Sequence, residues 1–220
     1  MKHSQLKRRF NCSFSTGIVP DKFKLACVIP VFQSASQTRA KHSTSIATIL
    51  IIDKVQNAIK DGKYSCGIFL DLRKAFDCVN HSILLSKLEY YGIRSLTYLW
   101  FKSYLNRRQY VSIGNTTSDE QYISCGVPQG SVLGPLLFLL YINDFKNCSD
   151  IFKFHLFADD CNLFYAHKNI IELEKQINIH LINIHDWLLS NKLFLNIDKT
   201  NFVIFHPPQK KLLHNLQLVI

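Results

Sequence analysis

At 220 residues and 47% hydrophobic content, the chain is long enough to bury one sizeable core, with room for a small appendage. A balance of 26 Lys and Arg against 16 Asp and Glu gives a formal charge of +10, which favours a polyanionic partner. Seven cysteines with no Cys-x-x-Cys pair argue against a disulfide framework, a disulfide-linked partner or a zinc site, and they suit a reducing compartment.

The first residues are basic, with Lys7-Arg8-Arg9, but no apolar stretch follows, so a signal peptide is not expected. Ser43 to Lys60 reads as a helix, with Ile46, Ile49, Leu50, Asp53 and Ile59 placed so that most apolar positions share one face. Asp61-Gly62 ends it, and Ser65 to Leu70 follows as a short apolar strand. Ser82 to Tyr91 is a second helix, with Ser82 as its N-cap and Gly92 just past its end, and Leu96 to Tyr104 a third. Gln109 to Ile113 and Gln121 to Ser124 alternate as strands around Gly114-Asn115, a hairpin pattern. Val127-Pro128-Gln129-Gly130 fits a type I turn with Pro at its second position.

Pro135 starts a helix that runs to about Asn147. The apolar run Val132 to Ile142 at its head is broken by Gly134-Pro135 and is too short to span a bilayer, so no membrane partner is expected. The expected location is intracellular, in cytoplasm or nucleus. Phe152 to Ala158 and Cys161 to Tyr165 form two strands around Asp159-Asp160. Asn169 to Asn191 carries Leu173, Ile177, Leu181, Ile184 and Leu188 as a helical stripe, and Asn201 to Phe205 closes as a strand. This order is that of an α+β split sheet, a βαβ-type antiparallel sheet with helices on one face, in which Asp71 can approach Asp159.

A carboxylate closing a buried strand (Asp71) and a carboxylate pair in a tight turn (Asp159, Asp160) are what a two-metal phosphoryl-transfer site requires. Mg²⁺ takes one or two protein carboxylates and leaves its other positions to water and phosphate oxygens. Each motif alone has a plain architectural reading: a polar hairpin turn, a strand-ending Asp, a proline turn, a core Phe76, a solvated Lys199. The nine histidines lack metal spacing and read as ordinary surface and core residues.

Taken in order, the motifs say more. Phe69-Leu70-Asp71-Leu72-Arg73-Lys74-Ala75-Phe76-Asp77, then Gly126-Val127-Pro128-Gln129-Gly130-Ser131, then Phe157-Ala158-Asp159-Asp160, then Leu195-Asn196-Ile197-Asp198-Lys199-Thr200, resemble the successive motifs of reverse transcriptases. The wording is most similar to non-LTR retrotransposons of the jockey and chicken-repeat type, from about Thr16 to Lys211. The resemblance implies a reverse transcriptase palm with partial fingers, and RNA-directed DNA synthesis with an RNA template, a DNA primer and deoxynucleoside triphosphates. Two Mg²⁺ ions, with Mn²⁺ as a substitute, would be held by Asp71 and Asp159, with Asp160 in support. Phe76 would be the steric gate against the 2′-hydroxyl, Gln129 and Gly130 would lie beside the templating base and nucleotide, Arg39 would contact the nucleotide, and Lys199 would protonate the leaving pyrophosphate.

The chain also departs from that pattern. Thr16 to Phe32 resembles the family's opening block, and Gln37 to Thr44 a later one, yet the two are almost joined, which reads as an internal deletion near residues 32–37. The resulting division is a remnant of the fingers over 1–60, the palm with a returning fingers segment over 61–206, and the start of an absent connection or thumb over 207–220. On this reading the copy is truncated, with weak or no synthesis. The alternative is a non-catalytic nucleic-acid-binding remnant. A nucleotide cyclase or an RNA-templated RNA polymerase has little support, because the Pro-Gln-Gly and Ala-Asp-Asp wording both point to reverse transcriptases.

Overall fold

A computed structural model describes residues 13, 15–19, 21, 24–28, 43–113, 115–128, 131–157, 160–210, 214 and 216–219. Its elements run β1 (Leu25–Val28), α1 (Ser43–Lys60), β2 (Tyr64–Asp71), α2 (His81–Tyr90), α3 (Ser95–Leu105), β3 (Arg107–Ile113), β4 (Thr116–Thr117), β5 (Gln121–Ile123), α4 (Leu133–Ile142), a 3-10 turn (Phe145–Cys148), β6 (Lys153–Phe157), β7 (Asp160–His167), α5 (Ile170–Ser190) and β8 (Asn201–Phe205). They form two compact units, one from Met1–Ser36 and Phe76–Tyr141, the other from Gln37–Ala75 and Ile142–Ile220.

The second unit holds the antiparallel sheet in the order β6-β7-β2-β8. Strand β2 is central: Tyr64 pairs with His167 and the ladder continues without a break to Asp71 opposite Asp160, while Ser65 to Phe69 pair with Phe205 to Asn201 on the other side. Alternation along β2 and β7 puts Cys66, Ile68 and Leu70, with Leu163 and Cys161, on one face, and all five are buried. Helix α5 covers this face with the stripe expected of it, for Leu173, Ile177, Leu181, Ile184 and Leu188 are all buried. Phe145 of the 3-10 turn lies 4.7 Å from the Trp187 ring of α5 and 5.3 Å from Phe154 of β6, completing the layer.

Helix α1 lies on the other face. Its three-residue connection to β2 folds it back along that strand, and Ile51 lines a small cleft with Gly67, Phe69 and His155. Among the described side chains the inward line is Ile51, Lys54, Val55 and Ala58, whereas Ile49 of the expected face is 63% exposed. The short link to β2 fixes the rotation of the helix, and it overrides the local apolar count.

In the first unit β1 runs parallel to β3, Leu25 opposite Arg108, and β3 also pairs antiparallel with β4 and β5. Ser112 and Ile113 face Thr117 and Thr116 in an antiparallel pair. Helix α2 begins one residue before the predicted start, and its cap is Asn80, whose side chain accepts from the Ile83 N–H at 3.1 Å. Asn serves as well as Ser in this position and lies where the extended backbone ends. Gly92 follows the helix with φ +90°, the left-handed conformation that favours glycine. Helix α4 begins at Leu133, which places Pro135 third in its first turn, where no N–H partner is lost, and it ends at Ile142, short of the predicted Asn147.

Candidate active site

Every residue of the predicted metal site belongs to the second unit. Asp71 ends β2, half-buried, and Asp160 opens β7 as its direct cross-strand partner. Side chains directly opposite in an antiparallel pair share a face, with Cβ atoms about 4.5–5.5 Å apart. Two like charges so placed repel, and a hard cation between them relieves that repulsion. Two carboxylates on one face are therefore a fitting oxygen donor set for a divalent ion. Among the described residues no group of three or more His, Cys, Asp or Glu side chains is arranged to hold a metal, and Asp159 lies outside them.

The end of β2 is fastened by the Leu195–Thr200 motif. The Asp71 carbonyl accepts from the Asn196 N–H at 2.8 Å, and its N–H donates to Thr200 Oγ1 at 3.4 Å. Thr200 Oγ1 in turn donates to the Asn196 carbonyl at 3.0 Å. One residue on, Leu72 bridges Leu195, and the Arg73 N–H donates to the Phe194 carbonyl at 2.8 Å. The predicted acid Lys199 is thereby carried to the end of β2 in the turn beside Thr200, and its side chain is exposed. Asn196 and Thr200 were in the quoted motif without a role; their spacing of four within a turn is the signal that they clamp a neighbour.

Of the predicted nucleotide contacts, Phe76, Gln129 and Gly130 fall within the first unit and Arg39 within the second. Phe76 is half-buried, its ring 4.7 Å from Phe138, and its carbonyl accepts from the Val127 N–H at 2.9 Å. Gln129, Gly130 and Arg39 lie outside the described residues, as does the predicted deletion near 32–37. The turn at Pro128 is held from its far side: Ser131 Oγ donates to the Pro128 carbonyl at 2.9 Å and accepts from the Gly134 N–H at 2.9 Å. A backbone bond from the Ser131 N–H to the Pro128 carbonyl, 3.4 Å, spans the turn one residue later than the Val127–Gly130 reading. Glycine at 134 is required by space, since a Cβ there would stand 2.5 Å from the Pro128 carbonyl oxygen.

A central strand ending on one carboxylate, in register with a second at the head of the neighbouring hairpin strand, over a helix-backed antiparallel sheet, defines a palm of the nucleic-acid-polymerase type. Residues 21–216 match the family described as Reverse transcriptase (RNA-dependent DNA polymerase), and the chain belongs to that family. It is 32% identical over 176 residues to a probable RNA-directed DNA polymerase from transposon BS of Drosophila melanogaster, covering 74% of this chain and 19% of that protein. It is 30% identical over 185 residues to the RNA-directed DNA polymerase from the mobile element jockey of the same species, 80% of this chain and 20% of that one. The chain thus spans about a fifth of the length of these curated relatives. The likeness to non-LTR retrotransposon reverse transcriptases read from the motifs is met.

Among solved structures, telomerase from Candida albicans in complex with a TWJ fragment of telomeric RNA has a TM-score of 0.56 at 17% identity, covering 77% of this chain and 31% of that one. Apo telomerase from Candida tropicalis, truncated from its C-terminal domain, has a TM-score of 0.54 at 13% identity, covering 94% and 41%. At such identities the likeness is one of fold. Among the described residues no helix is long and apolar enough to cross a membrane.

Proposed function

We propose that this chain is a reverse transcriptase domain built for two-metal nucleotidyl transfer with an RNA template, a DNA primer and deoxynucleoside triphosphates, and that its own synthesis is weak. The observation that carries the reading is the in-register pair Asp71–Asp160 at the end of β2. Asp71 and Asp159, with Asp160 in support, would hold the two Mg²⁺ ions, and Mn²⁺ could replace them. When bound, the ions lower the cost of deprotonating the primer 3′-hydroxyl and offset the charge of the triphosphate.

The other residues bind and orient. Asn196 and Thr200 fix the Asp71 backbone, which keeps its carboxylate at the strand end. Phe76, packed on Phe138, excludes the 2′-hydroxyl, and Gln129-Gly130 contact the base pair being formed. Arg39 meets the triphosphate, and Lys199, exposed in its turn, delivers a proton to the leaving pyrophosphate. A formal charge of +10 supplies the sequence-independent attraction to nucleic acid.

The test is primer extension on an RNA template with Mg²⁺ and labelled deoxynucleotides, beside Asp71→Asn and the double variant Asp159→Asn, Asp160→Asn. Weak extension by the wild type, lost in both variants, is expected. Synthesis that survives the variants removes the metal assignment. Salt-sensitive RNA binding by folded protein, with no extension, would replace the enzyme reading by that of a nucleic-acid-binding remnant.

A further inference from the structure

The backbone after Phe76 runs antiparallel beside the approach to the Pro128 turn, inside the first unit. The His81 N–H faces the Ser124 carbonyl at 3.5 Å, Asn80 bridges Cys125, the Gly126 N–H donates to the Val79 carbonyl at 2.8 Å, and the Val127 N–H donates to the Phe76 carbonyl. Side-chain chemistry locks this ladder at one point. His81 Nε2 lies 2.8 Å from the Gly126 carbonyl oxygen, and because a carbonyl only accepts, Nε2 carries the proton.

Gly126 itself sits close to neighbouring backbone. Its φ is +88°, and a Cβ at this position would stand 3.1 Å from the Asp77 carbonyl oxygen, so the strand is pressed against the segment that begins with Phe76. Gln129 follows Val127 by two residues in the sequence. The ladder therefore ties the start of the Pro-Gln-Gly turn to the residue that precedes Asp77. Burial lowers the pKa of His81, with Arg107 adding to the fall and the Gly126 bond opposing it, so the imidazole is neutral at pH 7 and still donates.

We propose that His81 is a positioning residue for nucleotide selection: by holding the Gly126 carbonyl it sets the spacing between Phe76 and the turn that begins at Pro128. The inference rests on the reading of Phe76 and the Pro-Gln-Gly motif as nucleotide contacts, and it adds the residue that holds Gly126 against the segment that begins with Phe76. A histidine that only stabilised the fold would affect all substrates alike. One that sets the gap between a sugar gate and a base contact changes the preference for deoxyribose over ribose.

The experiment is single-nucleotide incorporation by the full chain with a deoxynucleotide and the matching ribonucleotide, comparing kcat/KM for wild type, His81→Ala, His81→Gln and Gly126→Ala. Equilibrium binding of both nucleotides to the protein–primer–template complex is read in parallel. His81→Ala and Gly126→Ala are expected to lower the deoxy-over-ribo ratio by between about tenfold and a hundredfold, with primer–template affinity unchanged. His81→Gln, whose side-chain amide also donates, keeps most of the ratio. Melting curves identify any variant that fails to fold, and His81→Gln then carries the comparison against wild type, where a ratio lost despite a retained donor overturns the proposal. Equal loss with both nucleotides, or an unchanged ratio in His81→Ala, also overturns it while leaving the polymerase reading intact. A wild type that neither incorporates nor binds nucleotide overturns the polymerase reading and takes this inference with it.

Discussion

The two units fix their key residues by different means. In the second, Asp71 and Asp160 stand at the end of an eight-residue ladder, and their relation follows from register alone. In the first, Phe76 and the Pro128 turn are fixed by a short irregular run of backbone bonds and by single contacts: His81 on the Gly126 carbonyl, Ser131 on Pro128, and two glycines set close against neighbouring backbone. A regular ladder spreads the work over many equivalent bonds, so a single change is shared. Isolated contacts have no such reserve, and a single atom matters.

Gly134→Ala should show this most clearly. Glycine inside a helix is ordinarily about 1 kcal/mol worse than alanine, so propensity alone predicts stabilisation. The added methyl would instead meet the Pro128 carbonyl, and overpacking of this kind costs roughly 1–3 kcal/mol. Chemical denaturation gives the sign directly, and a more stable variant would mean the turn is not tightly held.

A smaller effect of opposite sign is expected in the sheet. Replacing Asp71 with Asn removes one of two like charges directly opposite each other, which should raise stability without metal by about 0.2–1 kcal/mol while abolishing synthesis. Mg²⁺ should raise the Tm of the wild type and not that of the variant, since a ligand stabilises the state that binds it. Equal Tm gains in both proteins would place the bound ion elsewhere.

The smallest effect concerns pH. Burial lowers the His81 pKa from its ordinary 6.5, so the unfolded chain takes up a proton more readily than the folded one. This contribution to stability is complete above the ordinary value and declines as the pH falls through it towards the lowered folded value. His155, desolvated and beside Lys54, acts in the same direction. Denaturation midpoints measured across that window should fall on acidification, and less steeply in His81→Gln. An unchanged slope in that variant would assign the decline to other groups.

The contrast between ladder and isolated contacts also decides what the sequence discloses. Helix α5 was legible because five apolar residues recur over about four turns, and β2, β6 and β7 because apolar runs flank the aspartates. Strand β1 carries only Leu-Ala-Cys-Val, too short for any period, and it exists through pairing with β3, a partner far along the chain. The packed face of α1 was misjudged because its rotation is set by the link to β2. Asn80 displaced Ser82 as cap through one residue of backbone geometry. His81 read as one ordinary histidine among nine, since nothing in its neighbourhood announces a carbonyl brought from residue 126.

Strand β8 has a further consequence. It borders β2 on one side and is the outermost strand of its sheet among the described residues, with Phe202 37% and Val203 43% exposed. A row of backbone donors and acceptors flanked by apolar side chains accepts any extended chain that reaches it, whatever its origin. The working lifetime of the purified protein will accordingly be set by concentration more than by temperature, because self-association at a strand edge needs no unfolding of the palm. Turbidity will appear in samples whose circular dichroism is still native.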